Sequence, residues 1–479
     1  MPLPPPKEMA LPSHEAATAL KLRRLLLTLV LVLTFEGLAR KLQIPGTDIP
    51  IFLLKDAIVL IMGFYLLRMS RPPAIDFLWV AYLLLIVLFL PLIIITAIHD
   101  PILALFGAKE YLLYPLVGFA VFFAFYDTGI NQIAHFFRWT SLLIIPTTIV
   151  ALIQIHLPST HWLNLSVGGA DLASFSAAGK LRVSSTFSFV AQYGAFLNAE
   201  FFMLVIALNQ MRDLKFFWKT IYLSLVPLFV IGNYITGSRG AVVGSFMIVV
   251  IAGALSLMKF QIRSTFRMAA IVLGLFFVVM TEQYLLPDEF AAYSGREQGH
   301  LIGVSSDIQH RVFGALFDWT GDVSSTPFFG YGLGIMSNGS PSFSTYAAHD
   351  RDLYGWTESD FASTLFEGGF YLVLVWYGFR YYVIFQTTQR LLADVHEDLS
   401  LPASFSQATV ILLGIVATLG IQPPIAIWWW MSVGASLLLW WKCVEPKRND
   451  EGLIVAQPPP PEKKIRGRSA YAERLHGGR

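Results

Sequence analysis

The stretch Asp76-Phe77-Leu78-Trp79-Val80-Ala81-Tyr82-Leu83-Leu84-Leu85-Ile86-Val87-Leu88-Phe89-Leu90-Pro91-Leu92-Ile93-Ile94-Ile95-Thr96-Ala97-Ile98 carries one charged side chain in 23 positions. As a helix it would rise about 35 Å, enough to cross a hydrocarbon core of about 30 Å. Eleven other stretches read the same way. The twelve candidate spans are 25–42, 51–68, 76–98, 108–126, 138–156, 190–208, 216–234, 238–258, 267–286, 362–380, 405–421 and 424–441. The first continues into Glu36-Gly37-Leu38-Ala39-Arg40-Lys41 with no small-residue cleavage site, so it reads as a retained span and not a signal peptide.

Composition agrees. Of 479 residues, 55% are hydrophobic and 14% charged, with a mean hydropathy of +0.60. Soluble chains carry about 25% charge, so this chain cannot coat several globular domains with solvated surface. Disorder of most of the chain is excluded on the same grounds. A single cysteine, Cys443, excludes a disulfide scaffold. The expectation is an all-α polytopic membrane protein.

Charge placement sets the expected orientation. With both termini cytoplasmic, 24 of the 34 Lys and Arg fall on the inside and nine on the outside, with Lys55 inside a span. Residues 1–24 are expected to form a disordered cytoplasmic arm, 25–441 the membrane domain, and 442–479 a disordered basic tail. The tail places Lys463, Lys464, Arg466 and Arg468 after four prolines and suits anionic headgroups. Two outside loops are long, 157–189 and 287–361, and the second has room for a small extracytoplasmic domain.

Several segments could carry chemistry. Thr236-Gly237-Ser238-Arg239-Gly240-Ala241 stands where a span begins. Its small residues open the backbone, Arg239 offers a planar fork for phosphate, and a helix N-terminus favours an anion. A snorkelling arginine at a tight helix-packing turn explains the same residues equally well. Ile308, Val312, Leu316 and Trp319 follow helical spacing around Arg311, which reads as an amphipathic surface helix. The run Pro327-Phe328-Phe329-Gly330-Tyr331-Gly332-Leu333-Gly334 reads as a backbone-exposing loop. Its GxGxG pattern lacks the strand–helix context of a dinucleotide site.

His349, Glu358 and their acidic neighbours could take a proton from a hydroxyl, or simply solvate the loop. Glu367 enters a span, where a carboxylate needs a partner, naturally an arginine. Arg182-Val183-Ser184-Ser185-Thr186-Phe187, leading to Gln192, adds an arginine and hydroxyls at the same membrane face. Lys55 and Asp56, with Glu36, Arg40 and Lys41, read best as structural ion pairs between adjacent spans. Trp428, Trp429, Trp430, Trp440 and Trp441 read as interfacial anchors. No zinc spacing, His-Glu-x-x-His or phosphate-binding loop of the GxxxxGK type is present, and nucleic-acid binding has no support beyond the basic tail.

In order along the chain, these motifs resemble the O-antigen ligase and polymerase superfamily of bacterial envelope glycosyltransferases. The resemblance covers about residues 25–440. It rests on Arg182 with Thr186-Phe187, the Gly237-to-Ala241 turn, Arg311 ahead of Pro327 and its glycines, and the segment before Glu367-Gly368-Gly369. Glu36-Gly37, Arg40-Lys41 and Lys55-Asp56 look like the exopolysaccharide polymerase branch. The resemblance implies a GT-C-like fold and a metal-independent transfer without cofactor outside the bacterial inner membrane. The donor is a glycan on undecaprenyl diphosphate. It implies Arg239, Arg311 and Arg182 as pyrophosphate holders, supported by Gly237, Ser238, Gly240, Gln192, Glu367, Lys55 and Asp56. A base, Glu358 or His349, would deprotonate the acceptor. Ligases of this superfamily follow the histidine with Asn; here Asp350 follows His349, so Glu358 stands slightly ahead. The expected partners are the lipid-linked oligosaccharide, membrane lipid and a chain-length regulator at the tail.

Overall fold

The computed structural model describes residues 13–70, 72–169, 181–211, 214–259, 262–285, 287, 290, 326–354, 359–393 and 397–444. The chain divides into a unit Met1–Cys443 and a unit Val444–Arg479, of which only Val444 is described. The expected tail therefore lies outside the described residues, as do residues 1–12, 170–180 and most of the second long loop.

Fifteen α-helices make up the described part: α1 Ser13–Lys41, α2 Asp48–Leu66, α3 Asp76–His99, α4 Pro101–Leu112, α5 Pro115–Phe125, α6 Ile130–Ser141, α7 Ile144–Ile155, α8 Val190–Asn209, α9 Phe216–Ile235, α10 Arg239–Met258, α11 Ile262–Leu285, α12 Thr345–Tyr354, α13 Asp360–Ala393, α14 Glu397–Val416 and α15 Pro423–Val444. Among the described residues nine helices are long and apolar enough to cross a membrane, or ten if α4 and α5 count as one broken span. The described residues are all-α, and the chain is a polytopic membrane protein.

Three details depart from the sequence reading. First, α1 begins at Ser13, so residues 13–24 are helix and not a disordered arm. Ala19, Leu22 and Leu26 are buried at helical spacing, and Glu15 accepts the Ser70 hydroxyl at 2.6 Å. Second, the expected span 108–126 is two helices, α4 and α5, bent by 41° around Pro115.

Third, the expected span 362–380 is not one helix. Gly368 and Gly369 leave helical geometry, Gly369 at φ 62°. The chain folds back on itself there. The rings of Phe361 and Tyr377 lie 5.6 Å apart, the Tyr377 hydroxyl donates to Asp360 Oδ2 at 2.9 Å, and Arg380 is ion-paired with Asp360. A continuous helix would hold Asp360 and Arg380 about 30 Å apart. Residues 360–367 and 370–393 are therefore the two arms of a helical hairpin. Gly368 and Gly369 are both buried, so protein surrounds the irregular backbone at the bend. Arg380, read from sequence as a cytoplasmic loop residue, is fully buried, and also donates to Gly414 O and Ala417 O.

Four of the five tryptophans of α15 are packing residues, not interfacial anchors: Trp428, Trp429, Trp430 and Trp440 are buried, while Trp441 is half-buried. α15 touches α8 through Phe196–Trp428, α14 through Trp429 Nε1 to Val410 O at 2.9 Å, and α13 through Phe379–Trp430. It meets α5 at paired glycines. A β-carbon on Gly434 would come 2.5 Å from Gly118 O. Small residues at such a crossing let backbones approach where lipid supplies no hydrophobic drive.

Candidate functional site

The C-terminal turns of α1, α7 and α9 and the first turns of α2, α8 and α10 lie at one end of the bundle, linked by residues 181–189. Val183, Ser184, Ser185, Thr186 and Phe187 are all buried. Gln154 of α7 accepts from Ser185 N at 2.7 Å, and the Ser185 hydroxyl donates to Thr147 O at 2.6 Å. Lys41 Nζ donates to Ser184 Oγ at 2.7 Å and to Leu163 O at 3.1 Å. The hydroxyls expected to face a ligand thus build the scaffold.

Arg182 leads this segment and is half-buried. Gly237 sits at φ +57°, and a β-carbon there would come 3.3 Å from Arg182 Cγ. Arg182 therefore lies on the turn that starts α10, two residues before Arg239, its first residue. Ser238 holds the N-cap position, and its hydroxyl does not close the cap. Gly240 is exposed, and Gln192 is half-buried in the first turn of α8. His349 is exposed on α12. Arg311 and Glu358 lie outside the described residues, as does the amphipathic segment around Arg311.

A buried ionic network joins the last turn of α1 to α2, α4 and the start of α5. Lys55 Nζ is 3.1 Å from Glu36 Oε2, and Lys109 Nζ is 2.8 Å from Asp56 Oδ2. The Tyr114 hydroxyl donates to Asp56 Oδ1 at 2.8 Å. Arg40 joins Glu36 at 3.4 Å to Asp48 at 2.7 Å. Lys55 and Asp56 are thus each met by an opposite charge from another helix. Removing one partner of such a buried pair leaves a charge uncompensated, at about 3–5 kcal/mol.

Pro327, Phe328 and Phe329 are exposed, but from Gly332 onward the glycine-rich run is packed, where a backbone-exposing loop was expected. Leu333, Ile335 and Met336 are buried. Tyr331 N and Gly332 N donate to Phe366 O and Glu367 O at 2.9 and 3.0 Å, and Leu333 N donates to Thr96 Oγ1 at 3.0 Å. Close approach explains the glycines: β-carbons at Gly330 and Gly334 would strike Gly369 and Gly107 backbone at 2.5 and 2.8 Å. Glu367 is fully buried; the Tyr111 hydroxyl and Met336 N donate to it at 2.7 and 2.9 Å. A phenol and a backbone amide are thus two of the groups that hold this carboxylate.

Sequence reasoning passed over Tyr111 and Glu200, met Glu110 only as a span boundary and Arg380 only as a loop charge, and met Asp360 only among the acids before Glu367. Glu200 lies fully buried in α8. The available signal was a lone ionisable residue inside an apolar run, which is costly and needs a reason.

No protein family, curated protein or solved structure matches the chain in comparison.

Proposed function

We propose that the chain is an integral-membrane glycosyltransferase that polymerises undecaprenyl-diphosphate-linked repeat units of an exported polysaccharide at the outer face of the bacterial inner membrane. The observation that carries this reading is the convergence of Arg182 with the Gly237–Arg239 turn. Two segments far apart in sequence bring an arginine and a helix start to one place, as a diphosphate leaving group requires. Arg239, Arg182 and Arg311 would neutralise charge growing on that group without a metal ion. Glu358 or His349 would take the acceptor proton. This reading keeps twelve spans, both termini in the cytoplasm and a GT-C-like arrangement, with a chain-length regulator at the basic tail. A ligase, passing the glycan to lipid A-core or another acceptor, would use the same donor site.

A transporter of a lipid-linked or anionic substrate is the second reading. The broken pair α4–α5 and the hairpin at Gly368-Gly369 favour it, because discontinuous helices with buried charge form many transport sites. One experiment separates the three. Purified protein is incubated with a defined lipid-linked repeat, with and without chelator. Growth of a ladder means polymerase. A single transfer to a different acceptor means ligase. No product, with vesicle uptake of the repeat, means transport. Loss of growth in chelator would overturn the metal-independent mechanism.

A further inference from the structure

Between them α10 and α11 leave an apolar groove of about 640 Å³. Gly253 and Leu257 line it from α10, and Met268, Val272, Leu273 and Phe276 from α11. Gly253 keeps it open: a β-carbon there would meet only Met268 Cγ, at 4.0 Å. From Met268 to Phe276 the groove runs about 12 Å along α11. That is close to the depth of one leaflet, half of a hydrocarbon core of about 30 Å. Leu257, Val272, Leu273 and Phe276 are exposed, so the groove opens sideways toward lipid.

Two cations stand at one end of this groove. Lys259 comes two residues after Leu257, at the C-cap of α10, and Arg267 directly precedes Met268. Lys259 Nζ is shielded from solvent and makes no hydrogen bond among the described residues. The titratable group that acts on it is Cys443 of α15, and a protonated thiol is no counter-ion. Arg267 is half-buried. A shielded ammonium without a counter-ion is costly, so an anion from outside the chain is needed to complete the site. Cations at the end of an apolar groove one leaflet deep match the two parts of an acidic lipid.

We propose that the α10–α11 groove binds one anionic phospholipid, with an acyl chain along the groove and the headgroup phosphate on Lys259 and Arg267. Basic pockets between membrane helices take acidic headgroups in this way. A zwitterionic lipid offers the same chain, but its own ammonium offsets the phosphate. The 20 residues of α10 separate this end from Arg239 by about 30 Å. The lipid site is therefore distinct from the proposed donor turn and does not depend on which reaction the chain performs.

The test uses full-length protein in nanodiscs of phosphatidylcholine with phosphatidylglycerol as the minor component. Native mass spectrometry of the released protein counts the lipids it keeps. One phosphatidylglycerol per chain is expected, enriched several-fold over its share of the bilayer. Lys259→Gln and Arg267→Gln should each weaken retention by about fivefold, the worth of one cation beside an anionic headgroup. Gly253→Leu should abolish it by filling the groove, which has room for the side chain beside Met268. Retention in proportion to bilayer composition would overturn the proposal, as would enrichment unchanged in either cation variant or in Gly253→Leu. Where a variant does not fold, the parent protein decides. Phosphatidylglycerol with a photoreactive acyl chain should mark peptides within 253–276, and unlabelled phosphatidylglycerol should compete where phosphatidylcholine does not. Marking elsewhere, or equal competition by both lipids, refutes the site.

Discussion

The hairpin at Gly368-Gly369 makes a prediction that a continuous helix does not. Arg380 binds Asp360 and the carbonyls of Gly414 and Ala417, at 3.0 and 3.2 Å for the carbonyls, and is fully buried. Arg380→Met removes all three contacts and strands Asp360 with Tyr377 at 2.9 Å and Gly420 N at 3.4 Å. Truncating one partner of such a pair costs about 3–5 kcal/mol. Asp360→Asn removes the charge with little change of shape. Combined with Arg380→Met, it should recover about 2 kcal/mol, because contacting residues couple by about 0.5–3 kcal/mol. The assay is equilibrium unfolding of the purified protein in mixed micelles, for both single variants and the double. In a straight helix the two residues would stand about 30 Å apart and their effects would add. Coupling below about 0.5 kcal/mol would therefore refute the fold-back. As an independent check, Phe361→Cys and Tyr377→Cys in a Cys443→Ser background should be joined by a short bismaleimide, because their rings lie 5.6 Å apart. A straight helix would separate them by about 24 Å.

Arg239→Ala should abolish chain growth on lipid-linked repeats while membrane insertion, followed by fractionation, stays intact; normal polymer length would count against the donor site. Asp100 caps α4. Burial raises its carboxyl, but the Ser344 hydroxyl and the Leu103 and Ile102 amides outweigh that and hold it below the ordinary value. Its stabilisation is therefore complete above about pH 4 and lost as pH falls through the lower folded-state value. Asp100→Ala should cost about 1 kcal/mol at neutral pH, and the gap to the parent should shrink on acidification; a gap independent of pH would contradict the cap. Gly37→Ala should lower thermal stability and activity together, because its β-carbon would lie 2.1 Å from the backbone of Phe187 and Ser188. Unchanged unfolding in that variant would mean α1 and segment 181–189 are not in contact.

The helical, membrane-spanning class was legible because apolar runs of about 20 residues leave few alternatives in a chain with so little charge. What the runs concealed was where they break. Residues 362–380 satisfy a hydropathy window whether or not Gly368-Gly369 reverses the chain, since a window counts composition and not direction. Arg380 was assigned to a loop because a charge at the end of an apolar run reads as its boundary. Its partner, Asp360, is twenty residues upstream and brought near only by the hairpin. The tryptophans of α15 misled for a related reason. Trp suits an interface and a tight core equally, and only the Gly118–Gly434 crossing decides between them. The glycines of 330–334 read as an open loop, but a Gly-rich run permits close packing as readily.

The last turn of α1 joins the two charged regions that the sequence presents separately. Glu36 enters the ionic network through Lys55. One residue on, Gly37 presses on Phe187 and Ser188, and Leu38 N donates to Thr186 O at 2.7 Å. Lys41 closes the turn on Ser184. Residues 182–187, held this way, place Arg182 on Gly237. Each link is backbone contact, a buried ion pair or a hydrogen bond without slack, so displacement of α1 by an ångström would be felt at both ends. Tight packing transmits strain in this way because interiors have few voids to absorb it. The pairing of Glu36 with Lys55 is then not only neutralisation of two awkward charges. It fixes the height and rotation of α1, and through α1 the position of the arginine that the proposed donor site needs.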